Sequence, residues 1–484
     1  MTAERSPFQA DQDGDGDAIG LVSDGISYRF DALAAQQGGF AAALLDAGVH
    51  RGDRVALRGS SRAETVVALL AMARAGVVAV LVHPRLTAGE AQALIDDAQV
   101  ARTLDDGAVD ALLHDGVNRP WPKLASNVLS DPLAMIYTSG TSGRAKAAVL
   151  THGSFTHSAR AHWNHLGRRP DDRWVAALPL AHVGGLSVLT RCLLAALPVE
   201  LLPRFDAMVV LAAVRAGGTM VSVVPTMLRA LLEADRDNVL ARARAVLVGG
   251  AACAPALLAE SAARGVRALA TYGMTEMCSQ VATQRPTLKP WAQRGVGTAL
   301  PGVELRLVDD DGAAVATEAV GRIAVRGPMR MRGYWGHEPL VAEEWFDTGD
   351  LGCVDADGVL SIHARRTDLI VTGGENVYPV EVEQCLEAHP TVAAALVFGL
   401  PDEVWGQRVA AAVVARGAVP DEAAWRAVLR AYVTEHLADF KRPRCLARVD
   451  TIATLPSGKP DRAGAGARYR ASVCPWGDGV SSRA

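Results

Sequence analysis

Short β-branched runs alternate with longer Ala/Leu-rich stretches of helical period over most of this chain, and few folds tolerate that pattern. The runs include Arg54-Val55-Ala56-Leu57, Val77-Val78-Ala79-Val80-Leu81-Val82, Met220-Val221-Ser222-Val223-Val224 and Ala245-Val246-Leu247-Val248. Strands buried on both faces read as continuous apolar runs, and helices between them cover a parallel sheet. The expected class is therefore α/β. From about Gly302 the texture changes. Val303 to Val308 alternates at period two, Asp309-Asp310-Asp311-Gly312 turns it, Gly321-Arg322-Ile323-Ala324-Val325 follows, and Asp355-Ala356-Asp357-Gly358 turns again. These read as antiparallel hairpins. After about Arg365 a smaller α+β unit begins, ending in a tail rich in Gly, Ala, Arg and Ser that is expected to be loose. No low-complexity linker joins the parts, which suits a rotating module better than a tethered one. The expected division is 1–364 and 365–484.

With 484 residues, 50% of them hydrophobic, the chain can bury a large core and is too apolar for disorder. Forty-nine Lys+Arg against 53 Asp+Glu leave no basic excess for nucleic acid, and no basic block flanks an apolar helix to meet a membrane. Met1 to Asp17 is polar and acidic, unlike a secretory signal. The most apolar stretch, Thr65 to His83, is interrupted by Arg74 and Gly76 and reads as a buried helix running into a strand. Seven scattered cysteines without a C-x-x-C pair argue against a disulfide framework or zinc knuckle and for a reducing, cytoplasmic setting.

The densest chemical signal is Tyr137-Thr138-Ser139-Gly140-Thr141-Ser142-Gly143-Arg144-Ala145-Lys146. Glycines let backbone N–H groups approach an anion, hydroxyls donate to phosphate oxygens, and lysine adds charge. No Gly-Lys-Ser/Thr is present, so this is not a Walker A loop, and a plain Ser/Gly turn is the alternative. Ala270-Thr271-Tyr272-Gly273-Met274-Thr275-Glu276 could present a base-stacking ring and a metal ligand, although a lone Glu in a turn is more often solvated. Trp345-Phe346-Asp347-Thr348-Gly349-Asp350 could hold a ribose diol, since one carboxylate accepts from two hydroxyls. Unaided, it reads as an ordinary turn. The same holds for Arg365 to Pro379 with its Gly373-Gly374 pair, and for Pro456-Ser457-Gly458-Lys459-Pro460-Asp461-Arg462. Asp11-x-Asp13-x-Asp15-Gly16 mimics a calcium loop, but Val22 stands where the bidentate Glu belongs. His152, His157, His162 and His165 lack the H-E-x-x-H pattern and are expected to line a polar helix face.

In this order and spacing the five motifs closely resemble the adenylate-forming superfamily of acyl-CoA synthetases, peptide-synthetase adenylation domains and luciferases, from Ile26-Ser27-Tyr28 to Arg462. The resemblance implies a large N-terminal domain of two doubly wound subdomains plus a distorted β-barrel, a small mobile α+β C-terminal domain, and an active site between them. Gly373-Gly374-Glu375-Asn376-Val377-Tyr378-Pro379 looks like the acyl- and aryl-CoA ligases. Leu178-Pro179-Leu180-Ala181-His182-Val183-Gly184-Gly185-Leu186-Ser187, Thr275 to Val281, His83-Pro84-Arg85-Leu86-Thr87 and a hydroxyl at Thr367 are similar to the o-succinylbenzoate–CoA ligases of menaquinone biosynthesis.

Carried over by that resemblance, Thr138, Ser139, Gly140, Thr141, Ser142, Gly143 and Lys146 hold the β,γ-phosphates of ATP. Tyr272 stacks on adenine beside Gly249, Gly250 and Ala251, with Thr271, Gly273 and Met274 in the same wall. Thr275 touches the α-phosphate, Glu276 ligates Mg²⁺, and Asp350 and Arg365 bind the ribose. Lys459 bridges substrate carboxylate and α-phosphate, and Thr367 is the hinge. Gly373, Gly374 and Lys441 meet coenzyme A. His182, Gly185, Ser187, Gly250, Ser279 and Gln280 line the acyl pocket, His182 also being counted with the catalytic residues. Arg191, about one turn after Ser187, is either an anchor for a second carboxylate or a surface arginine.

The implied reaction joins a small carboxylic acid to CoA through an acyl-adenylate, without nucleic acid or membrane as partner, and a homodimer is compatible with it. A ligase for another aryl acid, or a stand-alone enzyme loading a carrier protein, shares these motifs. Two departures stand out: Ala145-Lys146-Ala147 where the family has Pro-Lys-Gly, and Ala364 where Gly is usual. Neither removes a reacting group, so an active enzyme is expected.

Overall fold

The computed structural model describes residues 16–138, 145–286, 294–365, 368–372, 375–402, 405–455 and 458–476. It divides into two compact units, Met1–Gly250 with Ser261–Leu305 and Val325–Phe346, and Ala251–Glu260 with Arg306–Ala324 and Asp347–Ala484.

Two sheets build the first unit. In the larger, strands Ala268–Met274, Ala245–Val248, Met220–Val223, Trp174–Ala176, Val199–Leu201 and Ile19–Ser23 run parallel in that spatial order, with antiparallel strands at both edges. The second sets Pro132–Thr138, Val78–Leu81, Arg54–Arg58 and Arg102–Asp105 parallel, with Lys146–Thr151 and Gly333–Tyr334 added antiparallel. The apolar runs read from the sequence are these strands. Thr65 to His83 is, as expected, a helix (Ala63–Ala75) closed by a left-handed Gly76 and followed by Val78–Leu81.

The strand order of the large sheet reverses at Trp174–Ala176. Its neighbours Val199–Leu201 and Met220–Val223 lie on opposite sides, so the chain leaves it one way and returns past it. Ligands of open α/β sheets bind beyond the carboxyl end of such a switch strand. At the amino ends of the strands, buried Asp172 instead receives Arg244 Nε at 2.5 Å and Nη2 at 2.8 Å, and Thr219 Oγ1 at 3.1 Å. That bidentate tie staples three strand starts together.

The second unit holds most of a four-stranded sheet in the order Glu304–Val308, Gly321–Arg326, Phe346–Val354, Leu360–Arg365, where the resemblance implies a distorted barrel. Its turns are those expected, Gly312 N–H donating to Asp309 O at 3.2 Å and Gly358 N–H to Asp355 O at 3.0 Å. A six-stranded sheet centred on Gly406–Ala415 follows, packed against helices Pro379–Ala388, Glu422–His436 and Arg462–Tyr469.

The tail departs from expectation. Residues 462–469 are helical, Ala465 and Tyr469 are buried beside Leu396 and Phe398, and Cys474–Pro475 forms a strand on Cys445–Arg448. Trp476 joins the unit's core and donates its Nε1–H to Arg426 O at 3.0 Å. Small residues let this segment lie close to the sheet, and two large aromatic rings give it enough buried area to be held.

Candidate active site

Within the first unit, several of the residues singled out from the sequence lie at the carboxyl ends of the parallel strands. Gly249 and Gly250 follow Ala245–Val248, His182 follows the switch strand Trp174–Ala176, and Tyr272 to Met274 end their own strand. Gly273 lies so close to the carbonyl of Ser279 across the hairpin that a Cβ there would collide with it. Thr275–Met277 makes one 3-10 turn, closed by Cys278 at φ +51° and followed by Ser279 at φ +98°, a backbone strain for a side-chain-bearing residue.

Thr138 and Lys146 are cross-strand partners that close the base of the Ser/Thr/Gly hairpin, with Thr138 Oγ1 donating to Lys146 O at 3.4 Å. Ser139, Gly140, Thr141, Ser142 and Gly143 lie outside the described residues. The Lys146 ammonium lies 5.4 Å from the Tyr334 ring centroid, and the Tyr334 hydroxyl donates to Glu276 Oε1 at 2.8 Å. Lysine and carboxylate are thus joined through a tyrosine that motif reasoning missed. Its only trace in the sequence is an aromatic next to Gly333, in a strand of two residues that pairs with Lys146–Thr151.

Behind this lies a buried polar layer. Gln280 Nε2–H donates to Thr283 Oγ1 at 2.7 Å, which leaves Gln280 Oε1 to accept from His162 Nδ1–H at 2.7 Å. Thr271 and Thr283 share a hydroxyl contact of 2.7 Å. Gln280 is therefore occupied in an internal network. The Ser187 hydroxyl likewise donates to Gly184 O at 3.2 Å, and only glycine fits at 185, because a Cβ there would strike Pro179 O.

Three of the four histidines do not line a polar face, while His157 is half-buried. His152, His162 and His165 are buried, and His165 Nε2 lies 2.8 Å from Thr283 O. Burial lowers His152 to about 4, takes His162 well below the usual imidazole range, and lowers His165. These rings are neutral donors and acceptors packed into the interior. His83, noted in the sequence only as part of a family string, packs its ring 5.0 Å from that of His182 and accepts Arg85 N–H at Nδ1, 3.1 Å away.

Arg191 is not a surface arginine: it is 2% exposed. Its guanidinium lies 5.9 Å from the Trp174 ring centroid, and Nη2 reaches Ser158 Oγ at 3.5 Å, whose own proton goes to Cys278 O at 2.8 Å. Among the described residues no carboxylate pairs with Arg191, and its Nε has no hydrogen-bond partner. Burial pulls its pKa down to about 10, which still leaves it charged at neutral pH.

In the second unit, Asp350 is buried, its N–H donates to Thr348 Oγ1 at 3.1 Å, and it stands opposite Arg365 across neighbouring strands. The side chain of Arg365 and residues Thr367, Gly373 and Gly374 are outside the described set. Lys441 is paired with Glu381 at 2.6 Å. Lys459 is exposed on a hairpin closed by a Thr454–Pro460 bridge, with Gly458 at φ +81° beside it.

Among the described residues no three His, Cys, Asp or Glu side chains gather as a protein-only metal site requires. Glu276 nonetheless suits Mg²⁺, which binds through one or two carboxylates plus substrate phosphates. Among the described residues Tyr334 is the single hydrogen-bond partner of the Glu276 carboxylate, leaving Oε2 for a cation. No helix among them is long and apolar enough to cross a membrane.

A nucleotide-handling edge on a doubly wound sheet, followed by a small lysine-bearing unit, defines an adenylate-forming enzyme. The model of the AMP-binding enzyme family matches residues 8–335 and that of its C-terminal domain residues 381–459, and the chain belongs to that family. Among its relatives is a 2-succinylbenzoate–CoA ligase of Bacillus cereus, 36% identical over 416 residues, 83% of this chain and 85% of that one. The o-succinylbenzoate–CoA synthetase of Bacillus subtilis, solved with the acyl-adenylate OSB-AMP, superposes with a TM-score of 0.84 at 31% identity, covering 96% of this chain and 98% of that one. The same enzyme with ATP and magnesium gives 0.83 at 30% identity, covering 96% and 99%.

Proposed function

We propose that this chain is a 2-succinylbenzoate–CoA ligase: it activates the acid with ATP to an acyl-adenylate, releasing pyrophosphate, and transfers the acyl group to the thiol of coenzyme A, releasing AMP. Carboxylate and triphosphate are both anions, so the site must supply positive charge where they meet. Lys146 attracts the β,γ-phosphates together with the 139–143 loop. Thr275 and Lys459 contact the α-phosphate, and Lys459 also holds the attacking carboxylate. Glu276 would hold magnesium, which neutralises phosphate charge when bound.

Tyr272 packs on adenine against Gly249 to Ala251, with Thr271, Gly273 and Met274 beside it, while Asp350 and Arg365 take the ribose. The small unit, divided from the rest at 364/365, turns about Thr367 and brings Gly373-Gly374 and Lys441 to coenzyme A. Lys441 then shares its ammonium with Glu381. His182 and Ser279 border the acyl group with Gly185, Ser187 and Gly250, and Gln280 holds the wall behind it.

The observation that carries the choice of acid is Arg191. A guanidinium buried without a counter-ion among the described residues is costly unless an anion arrives, and 2-succinylbenzoate has a second carboxylate to offer. We assign the enzyme to the cytoplasm, and a homodimer, readable by analytical ultracentrifugation, is compatible with this reading. Pyrophosphate release over a panel of carboxylic acids, with and without CoA, tests it. Dicarboxylic 2-succinylbenzoate should give the highest kcat/KM and a CoA thioester. Preference for a simple benzoate would overturn the choice of acid, and transfer only to a carrier protein would overturn the acceptor.

A further inference from the structure

A buried ionic clasp lies beneath the Lys459 hairpin. Arg462 opens the Arg462–Tyr469 helix and pairs with both oxygens of Glu383, Nη1 to Oε1 and Nη2 to Oε2 at 3.2 Å. The same Nη1 donates to Val397 O at 2.7 Å, and Val397 N–H donates back to Glu383 Oε1 at 2.8 Å. Arg462 Nε reaches Asp368 Oδ2 at 3.2 Å. One guanidinium therefore ties three places together: the Pro379–Ala388 helix, the long Val392–Asp402 strand, and the chain just past Thr367.

Only Pro460 and Asp461 separate Arg462 from Lys459, and this stretch is pinned. Asp461 N–H donates to Ala453 O at 2.9 Å, Leu455 N–H to Lys459 O at 2.8 Å, and Gly458 N–H to Leu455 O at 2.8 Å. The Asp461 carboxylate caps the helix by accepting Gly464 N–H at 2.9 Å. With so little slack, a shift of the Arg462 anchor moves the lysine, and sub-ångström placement matters for a group acting on a transition state.

We propose that Arg462 is a positioning residue for Lys459, with Glu383 and Asp368 as its two anchors, so that the segment at the hinge and the lysine hairpin move as one piece. The proposal rests on the reading of Lys459 as the adenylation lysine. Two assays on the full-length enzyme separate them: pyrophosphate release with 2-succinylbenzoate, ATP and Mg²⁺, and thioester formation from supplied acyl-adenylate and CoA. Arg462→Gln should lower kcat for adenylation about 10- to 100-fold with the KM for ATP little changed, and thioester formation by less than about threefold. Arg462→Lys should recover part of the loss.

In a Lys459→Ala background, Arg462→Gln should cost almost nothing further in adenylation, because there is no ammonium left to place. Multiplying losses in the double variant, or equal losses in both assays, would overturn the positioning role and leave a purely structural one. Normal adenylation in Lys459→Ala alone would instead overturn the reading of the lysine. Should Arg462→Gln not fold, Asp368→Asn keeps the Glu383 pair and decides by the same criteria, with a smaller selective loss expected.

Discussion

Arg191 in the first unit is fully buried and Arg462 in the second is largely shielded from water, and the two are partnered in opposite ways. Arg462 is enclosed by two carboxylates and a carbonyl, while among the described residues Arg191 has one long contact to a serine hydroxyl, an indole face and no carboxylate. A desolvated cation with its anions belongs to the frame of the protein. One without them stores an unmet electrostatic demand that a ligand can satisfy. The surrounding groups follow suit. The first unit places the neutral His162 near Arg191, both against the Trp174 ring, whereas the second ties its sheet to a helix with the Arg462–Glu383 pair.

The sharpest way to break this comparison is to replace both arginines with methionine. Arg462→Met leaves Glu383 buried without its cation and should lower unfolding free energy by about 3–5 kcal/mol in urea titration. Arg191→Met removes a charge that had no partner, so the same titration should show a change below about 1 kcal/mol, of either sign. Equal losses would end the distinction. Next in size, Lys459→Ala should reduce adenylation by roughly 10²–10³-fold while thioester formation from supplied acyl-adenylate falls far less.

Arg191→Met should then raise KM for 2-succinylbenzoate about 10- to 100-fold, with kcat less affected and no change toward a monocarboxylic acid at saturating ATP. A uniform change across acids would make Arg191 part of the frame after all. The smallest effect is in acid. Burial depresses the folded-state pKa of His152 to about 4, so its neutral form stabilises the fold above pH 6.5. That stability is lost as pH falls from about 6.5 to 4, at no more than about 1.4 kcal/mol per pH unit for one proton, and His152→Gln should flatten the slope by that proton.

Much of the architecture could be read beforehand because buried parallel strands announce themselves as apolar runs, as Ala245–Val248 and Val78–Leu81 do. Strand order could not, since no residue pattern says which strand lies beside Trp174–Ala176. The residues proposed for adenylation stand out as motifs, yet Tyr334, which bridges Lys146 and Glu276, lies in a two-residue strand too short for periodicity to register. The histidines of the His152–Leu166 helix were misjudged because helical spacing identifies a face without saying whether water or Gln280 lies opposite. The tail was misjudged because its glycines and alanines mask two rings, Tyr469 and Trp476, that anchor it.

That anchoring has a bearing on biosynthesis. The sheet beneath Lys459 is bordered by Cys474–Pro475, and its interior is filled in part by Trp476. Domains fold as units while the ribosome elongates the chain. The lobe carrying Lys459 therefore cannot complete itself until residue 476 has left the exit tunnel, long after the two sheets of the first unit have been able to form, so a nascent chain stalled short of that tryptophan would hold finished sheets and an incomplete C-terminal lobe.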